Sequence, residues 1–247
     1  MLNRFSRTEL LLGEENMSKL AQSKIAIFGI GGVGSYVAEG LARCGIGEFI
    51  LIDSDDISLT NINRQIHALE TTIGHKKTLM MKERILAINP QAKVTTIEKL
   101  YTPESNFFNW DDNYTYIVDA VDDVKAKINL IVNANKHNLP IMSSMGTANK
   151  LDPQKFVITD IYKTHTCPLA RIMRKTLKQQ GIKKLKVLYS TEEPFTNYTV
   201  NFKENTSKDN SPASTRKQPL GSISFVPPIA GLMIAGEIVK DICQINR

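Results

Sequence analysis

Cysteine is scarce in this chain and long apolar runs are missing, and each absence removes a class of protein. The three cysteines, Cys44, Cys167 and Cys243, form no Cys-x-x-Cys pair, zinc cage or disulfide framework, so a reducing, cytoplasmic setting is expected. The longest apolar stretch, Phe225 to Gly236, is 12 residues with Pro227 and Pro228 inside it, against the roughly 20 a membrane helix requires. Near the start, the run Leu10 to Leu12 falls short of the roughly 7 to 15 apolar residues of a secretory core. Neither membrane insertion nor export is expected. No internal repeat is visible, which sets aside solenoids and propellers. Apolar residues at 42% and charged residues at 23% of 247 are ordinary globular usage.

Acidic residues are absent from Ile161 to Thr191, where Lys163, Arg171, Arg174, Lys175, Lys178, Lys183, Lys184 and Lys186 supply eight positive charges. The whole chain carries +6 from 31 basic and 25 acidic residues, so the remainder is slightly acidic. Positive charge gathered in one segment suits a surface that binds a polyanion, or a solvated basic helix.

Short apolar runs alternate with longer helical stretches. Lys24 to Phe28 reads as a buried strand, Val33 to Cys44 as a helix with Val33, Val37 and Leu41 on one face, and Glu48 to Asp53 as the next strand. A helix over about Lys76 to Ile88 follows, then strands in Lys93 to Ile97 and Tyr114 to Asp119, a helix over about Val124 to Asn138 and a strand at Pro140 to Ser144. This alternation predicts an α/β fold of Rossmann-like, doubly wound type: a mostly parallel sheet with helices on both faces. Phe156 to Ile161 and Lys186 to Tyr189 then read as strands flanking a basic helix from about Pro168 to Gln180, a C-terminal α/β extension. Asn201 to Ser222, rich in Asn, Ser, Lys and Pro, reads as a mobile loop, either a lid or an inert insertion. Ile229 to Ile242 returns to helical spacing.

Gly29-Ile30-Gly31-Gly32-Val33-Gly34 satisfies G-x-G-x-x-G between the first strand and its helix, and Asp53 closes the second strand. Small residues let the backbone approach a phosphate, the helix start offers unpaired N–H groups, and Asp53 can accept ribose hydroxyl bonds. A dinucleotide needs little more. ATP cleavage needs cations for the outer phosphates and a carboxylate for magnesium. Arg64 in Asn61-Ile62-Asn63-Arg64-Gln65 and Lys77 in Gly74-His75-Lys76-Lys77 supply the first, and Asp122 in Asp119-Ala120-Val121-Asp122-Asp123 supplies the second. Singly, each of these also reads as a cap or a solvated charge.

In this order the motifs closely resemble the adenylating domain of the ubiquitin-activating-enzyme (ThiF/MoeB-like) superfamily, over about residues 4 to 145. The resemblance implies one such domain over 1–247, with a nucleotide core at about 20–145, a basic substrate-binding extension at about 150–200, the loop at about 201–222 and a last helix at about 228–243. It implies that Gly29, Gly31, Gly32, Gly34 and Ser35 hold phosphates. Asp53 would take the ribose with Asp55 nearby, Asn61, Arg64 and Lys77 would take phosphates, and Asp122 would hold Mg2+. Arg7 matches a family arginine that reaches the triphosphate from a neighbouring subunit, so a homodimer is implied.

Sulfur-carrier activators usually hold zinc between two Cys-x-x-Cys pairs, which are absent here, and ubiquitin-type enzymes need a thioester cysteine. Cys167, beside a helix start and two arginines, reads as such a nucleophile or as a small structural residue. The segments Ile158 to Thr164, Pro168 to Ala170, Tyr189 to Glu192 and Gly221 to Pro227 resemble instead the tRNA threonylcarbamoyladenosine dehydratase branch, which commonly has Asp at the position of Cys167. That resemblance implies ATP-dependent adenylation of the modification's carboxylate, followed by ring closure from its own carbamoyl group, with no enzyme nucleophile. The basic segment would then bind the anticodon arm, with Lys163, Arg171, Arg174, Lys175 and Lys178 as phosphate contacts. His165 is one candidate base for ring closure. In that family a cysteine desulfurase and its sulfur-acceptor protein can act as partners. Activation of a sulfur-carrier or ubiquitin-like protein is the main alternative; an NAD-dependent oxidoreductase or a non-catalytic nucleotide sensor is another.

Overall fold

The structure, a computed structural model, describes residues 2–195 and 220–245. The loop expected at about 201–222 lies outside the described residues except for 220–222. Two short helices, α1 (Ser6–Leu12) and α2 (Glu14–Gln22), open the chain, the first too short to declare itself by periodicity. Then β1 (Lys24–Phe28), α3 (Gly34–Arg43) and β2 (Glu48–Ile52) form the first βαβ unit, followed by α4 (Lys77–Ile88) and β3 (Lys93–Ile97). The second half runs β4 (Tyr116–Asp119), α5 (Val124–Lys136), β5 (Ile141–Ser144), β6 (Phe156–Asp160), α6 (Pro168–Gln179), β7 (Lys186–Ser190) and α7 (Val226–Ile242). α7 starts earlier than its spacing predicts, because Pro227 and Pro228 sit in its first turn, where a missing N–H costs nothing.

All seven strands join one sheet in the order β3-β2-β1-β4-β5-β7-β6. Every pairing is parallel except that of the edge strand β6 with β7. The extension thus continues the sheet of the nucleotide core. The strands after β1 are added on one side as far as β3 and on the other from β4 onwards, and it is at such a switch point, beyond the strand C-termini, that open α/β sheets bind ligands.

Alternate residues of each strand feed opposite faces. Ile25 and Ile27 of β1 join the core under α3, α4 and α7, with Val37, Leu41, Met81 and Ile234. Burial of each such side chain contributes roughly 1.5–3 kcal/mol. Ala26 and Phe28 face the other way, towards α5. On that face α5 and α6 cover β4, β5 and β7, but over β1 and β2 the cover is irregular chain rather than helix. There Tyr101, Phe108 and Tyr114 close over Phe28, with the Phe28–Phe108 and Phe108–Tyr114 centroids each 4.8 Å apart. Large rings supply the area a helix would otherwise bury, so the expected helix layer on this face is only partial.

Candidate active site

A cleft of about 630 Å³ opens at the switch point. The last residues of three parallel strands, Phe28, Ile52 and Ser144, form part of its wall. Gly29, Gly31 and Gly32 line it at one end. Gly29 has φ +86°, and a Cβ there would stand 2.6 Å from the Ala120 carbonyl oxygen, so only glycine lets the turn press against the chain leaving β4.

Gly34 and Ser35, expected at the phosphates, do not line the cleft. A Cβ on Gly34 would meet the Gly29 carbonyl oxygen at 1.8 Å, so this glycine serves close packing of helix on turn. Ser35 is fully buried, its hydroxyl without a partner among the described residues.

Asp53 and Asp55 both line the cleft. Asp53 Oδ2 accepts the Ile30 N–H at 2.7 Å and Oδ1 accepts the Asp55 N–H at 2.9 Å. Burial pushes its carboxyl up, against the opposing pull of Lys77 and these two N–H groups. Lys77, at the first turn of α4 and 6% exposed, holds its Nζ 2.6 Å from Asp55 Oδ2. The ammonium therefore stands at the cleft already paired, and a phosphate there would compete with or join that pair.

The segment Asn61 to His67 frames the opposite wall. Asn61, buried, spends its Oδ1 on the Ser58 N–H at 3.1 Å and so fixes the turn. Arg64 lines the cleft, with Nη1 donating to the Thr60 carbonyl at 2.9 Å and to Asn63 Oδ1 at 2.8 Å. It has no carboxylate partner among the described residues. Behind it His67 is buried, its Nε2 2.9 Å from the Ile30 carbonyl, and burial pushes its pKa down to about 4. The imidazole is therefore neutral near pH 7 and donates from Nε2.

Three carboxylates lie at or just past the end of β4, and among the described residues only one is unengaged. Asp119 is fully buried on Lys127. Asp123 Oδ1 caps α5 by accepting the Ala126 N–H at 2.8 Å. Asp122 is exposed on the cleft wall with no hydrogen-bond or ion-pair partner among the described residues. No group of three or more metal-binding side chains occurs among the described residues. One free carboxylate beside a phosphate site suits Mg2+, which takes one or two carboxylates together with substrate phosphates.

Several cleft residues give no motif signal in the sequence. Lys99 and Tyr101 belong to the irregular aromatic segment, and Gly146, Thr147 and Ala148 follow β5. Lys150 and Glu192 tie that last segment down: the Lys150 ammonium donates to the Glu192 carbonyl, and the Glu192 carboxylate accepts the Leu151 and Asp152 N–H groups at 3.0 and 3.1 Å.

Leu169, at the start of α6, also lines the cleft, and the basic residues follow in the next turns. Ala170, Met173 and Leu177 bury one face of α6, while Lys163, Arg171, Lys175 and Lys178 are exposed. None pairs with a carboxylate of the described residues. Arg174, expected among the phosphate contacts, is half-buried with Nη1 donating to the Thr164 carbonyl at 2.9 Å and to the Thr164 hydroxyl.

Cys167 occupies the N-cap position of α6 without a side-chain capping bond and is 6% exposed, packed with Ile131, Met145, Ile161 and Ala170. Its position allowed a reactive thiol or a small structural residue; its apolar surroundings and burial favour the second. His165 is exposed with Nδ1 2.9 Å from the Thr166 hydroxyl, and it does not line the cleft. Arg7 is exposed on α1, also away from its own chain's cleft. No helix among the described residues is long and apolar enough to cross a membrane.

The chain is 42% identical over 245 residues to the tRNA threonylcarbamoyladenosine dehydratase of Bacillus subtilis, covering 99% of this chain and 96% of that one. It is also 42% identical, over 175 residues, to the Escherichia coli protein of the same name, covering 71% and 65% of the two chains. The crystal structure of E. coli tRNA N6-threonylcarbamoyladenosine dehydratase in complex with ATP matches with a TM-score of 0.82 at 32% identity, covering 98% of this chain and 94% of that one. The model of the ThiF family matches residues 5–247, and the chain belongs to that family.

Proposed function

We propose that this protein dehydrates threonylcarbamoyladenosine in tRNA at the expense of ATP, which is consumed as a second substrate. The carrying observation is the cleft, which sets a glycine turn, Arg64, Lys77 and an unengaged Asp122 around one space, as a triphosphate requires and a dinucleotide does not. Identity along nearly the full length to a protein named for this reaction supports the reading.

A substrate carboxylate oxygen would attack the α-phosphorus and expel pyrophosphate. The carbamoyl nitrogen or oxygen would then attack the activated acyl carbon, losing one proton, and AMP would leave with the former carboxylate oxygen. The nucleoside ends lighter by one water. Arg64 and Lys77 stabilise charge on the phosphates in the first step. Mg2+, held by Asp122, would neutralise phosphate oxygens and raise the leaving ability of pyrophosphate. The second step is intramolecular, so holding the two ends of the modification together supplies much of its rate. The burial of Cys167 accords with a ring closure that uses no enzyme thiol.

The basic face from Lys163 to Lys178 gives the tRNA phosphates a surface next to the cleft. Arg7 would act in the cleft of a second copy, and the exposed Leu10 and Leu11 of α1 are apolar surface that a homodimer would cover. A cytoplasmic setting, and contact with a cysteine desulfurase and its sulfur-acceptor protein, belong to the same reading through the family resemblance.

The test incubates the protein with magnesium, ATP and tRNA carrying the modification, then digests the RNA and weighs its nucleosides. The expected result is an ATP-dependent loss of one water that Asp122→Ala abolishes. An unchanged nucleoside, with ATP–pyrophosphate exchange that needs a carrier protein's C-terminus, would replace this reading with carrier activation.

A further inference from the structure

The side chain of Lys127 is 1% exposed and that of Asp119 is fully buried, and the two form an ion pair in the interior. Nζ stands 3.0 Å from each Asp119 oxygen, Ser143 Oγ donates to Oδ2 at 2.5 Å across the β4–β5 pairing, and the Val121 N–H reaches Oδ1 at 3.3 Å. Such a pair is a poor way to gain stability, because desolvation offsets most of the attraction and apolar residues of similar size often do better. Its place in the chain suggests another use.

Residues 119 to 127 run from the end of β4 into α5, and they are fixed at three points. The Ala120 N–H bonds the Phe28 carbonyl at 2.8 Å, Asp123 caps α5, and Lys127 returns one helical turn later to grip Asp119. Asp122 sits in the middle with its carboxylate unspent. The turn is thus held from below and from both ends, and the free carboxylate inherits its position from the buried pair.

We propose that Lys127, which lines the floor of the cleft, is a positioning residue whose ammonium, held on Asp119, sets the turn 120–122 so that the Asp122 carboxylate meets the metal of a bound metal–triphosphate. This rests on the reading of Asp122 as the magnesium carboxylate. Groups one shell behind a metal ligand cost about 10- to 100-fold in metal affinity or activity when removed.

The experiment compares the full chain with Lys127→Met, Lys127→Arg and the double variant Asp119→Leu/Lys127→Met. It measures ATP binding by calorimetry with and without Mg2+, the half-saturating Mg2+ for AMP formation, and thermal unfolding. Lys127→Met is expected to bind ATP without Mg2+ as the parent does, while its half-saturating Mg2+ rises about tenfold or more. Lys127→Arg is expected to recover part of that loss. The double variant is expected to restore thermal stability, since no buried charge is left alone, without restoring the Mg2+ response.

A double variant that recovers both stability and Mg2+ response would overturn the proposal and leave the pair a structural feature. A parental Mg2+ response in Lys127→Met would overturn it as well. Should the parent's own ATP binding and turnover be indifferent to Mg2+, the reading of Asp122 fails first and takes this one with it.

Discussion

The glycine-turn side of the cleft and the basic face of α6 both offer positive charge, but they are built in opposite ways. Lys77 and Lys127 are buried and each sits on a named carboxylate, and Asp53 is held by two backbone N–H groups. On α6, Arg171, Lys175 and Lys178 stand in solvent, without a carboxylate among the described residues. Groups that must meet a reacting phosphorus need fixed positions. Groups that meet a polyanion's backbone need only supply charge, which counterion release rewards wherever it lies. The fold therefore buries and cross-links the groups that act at the phosphorus or position those that do, and leaves the α6 cations in solvent, so a substitution should be specific and severe in one region, graded and interchangeable in the other.

Arg64 gives that comparison its hardest test, because it lies on the cleft side yet has no ion pair among the described residues, where the Thr60 and Asn63 contacts orient its guanidinium. Arg64→Ala is expected to lower the rate of AMP formation about 10²- to 10³-fold, the usual loss for one preorganised donor to developing charge. Arg64→Lys should recover little, since a point charge does not reproduce the planar fork. Single-turnover formation of AMP reads both. A fully active Arg64→Lys would mean that this side, too, asks only for charge.

His67 sharpens the same contrast through pH. Burial lowers its pKa from the ordinary 6.5 to about 4, so the unfolded chain takes up a proton where the folded chain does not. The stability this histidine carries is complete above about pH 6.5 and is lost as pH falls towards 4, by up to about 3 kcal/mol. Asp53 works in the other sense: its raised carboxyl contributes stability that is full below its ordinary 3.8 and lost as pH rises through its folded value. Comparing the parent with His67→Gln isolates the histidine. Urea midpoints at pH 7, 6 and 5 are expected to fall more steeply in the parent, and parallel profiles would mean that His67 is not held neutral.

What could be read beforehand follows from how local each signal is. The β1–α3–β2 unit and its glycine turn lie within some thirty consecutive residues and obey spacing rules, and their limits are matched within a residue or two. Asp122 was named from the motif, but what occupies its neighbours Asp119 and Asp123 was not legible, because that lies in Lys127 and in the capping of α5. Nor did spacing separate glycines that face the cleft from Gly34, which faces the turn behind it. The aromatic cover from Tyr101 to Tyr114 has no period to detect. Cys167 stayed open between two readings for a related reason: its helix-start position is local, while the apolar residues that bury it come from α5, the chain after β5 and the turn before α6.

The smallest expected effects lie on α6, where they decide whether the basic face is one surface or a set of particular contacts. Arg171→Ala, Lys175→Ala and Lys178→Ala should each weaken tRNA binding only a few-fold and lower the slope of log affinity against log salt by about one. ATP binding and thermal stability should stay unchanged. Arg174 should behave differently, because its Nη1 holds the Thr164 carbonyl and hydroxyl at the turn leading into α6. Arg174→Ala should therefore also cost about 1 kcal/mol of stability, the usual net worth of a lost internal hydrogen bond. Titrations at several salt concentrations, with unfolding measured in parallel, distinguish the two behaviours. If one of the three exposed residues alone carried the whole salt dependence, α6 would hold a defined phosphate site, and the two sides of the molecule would be more alike than their burial suggests.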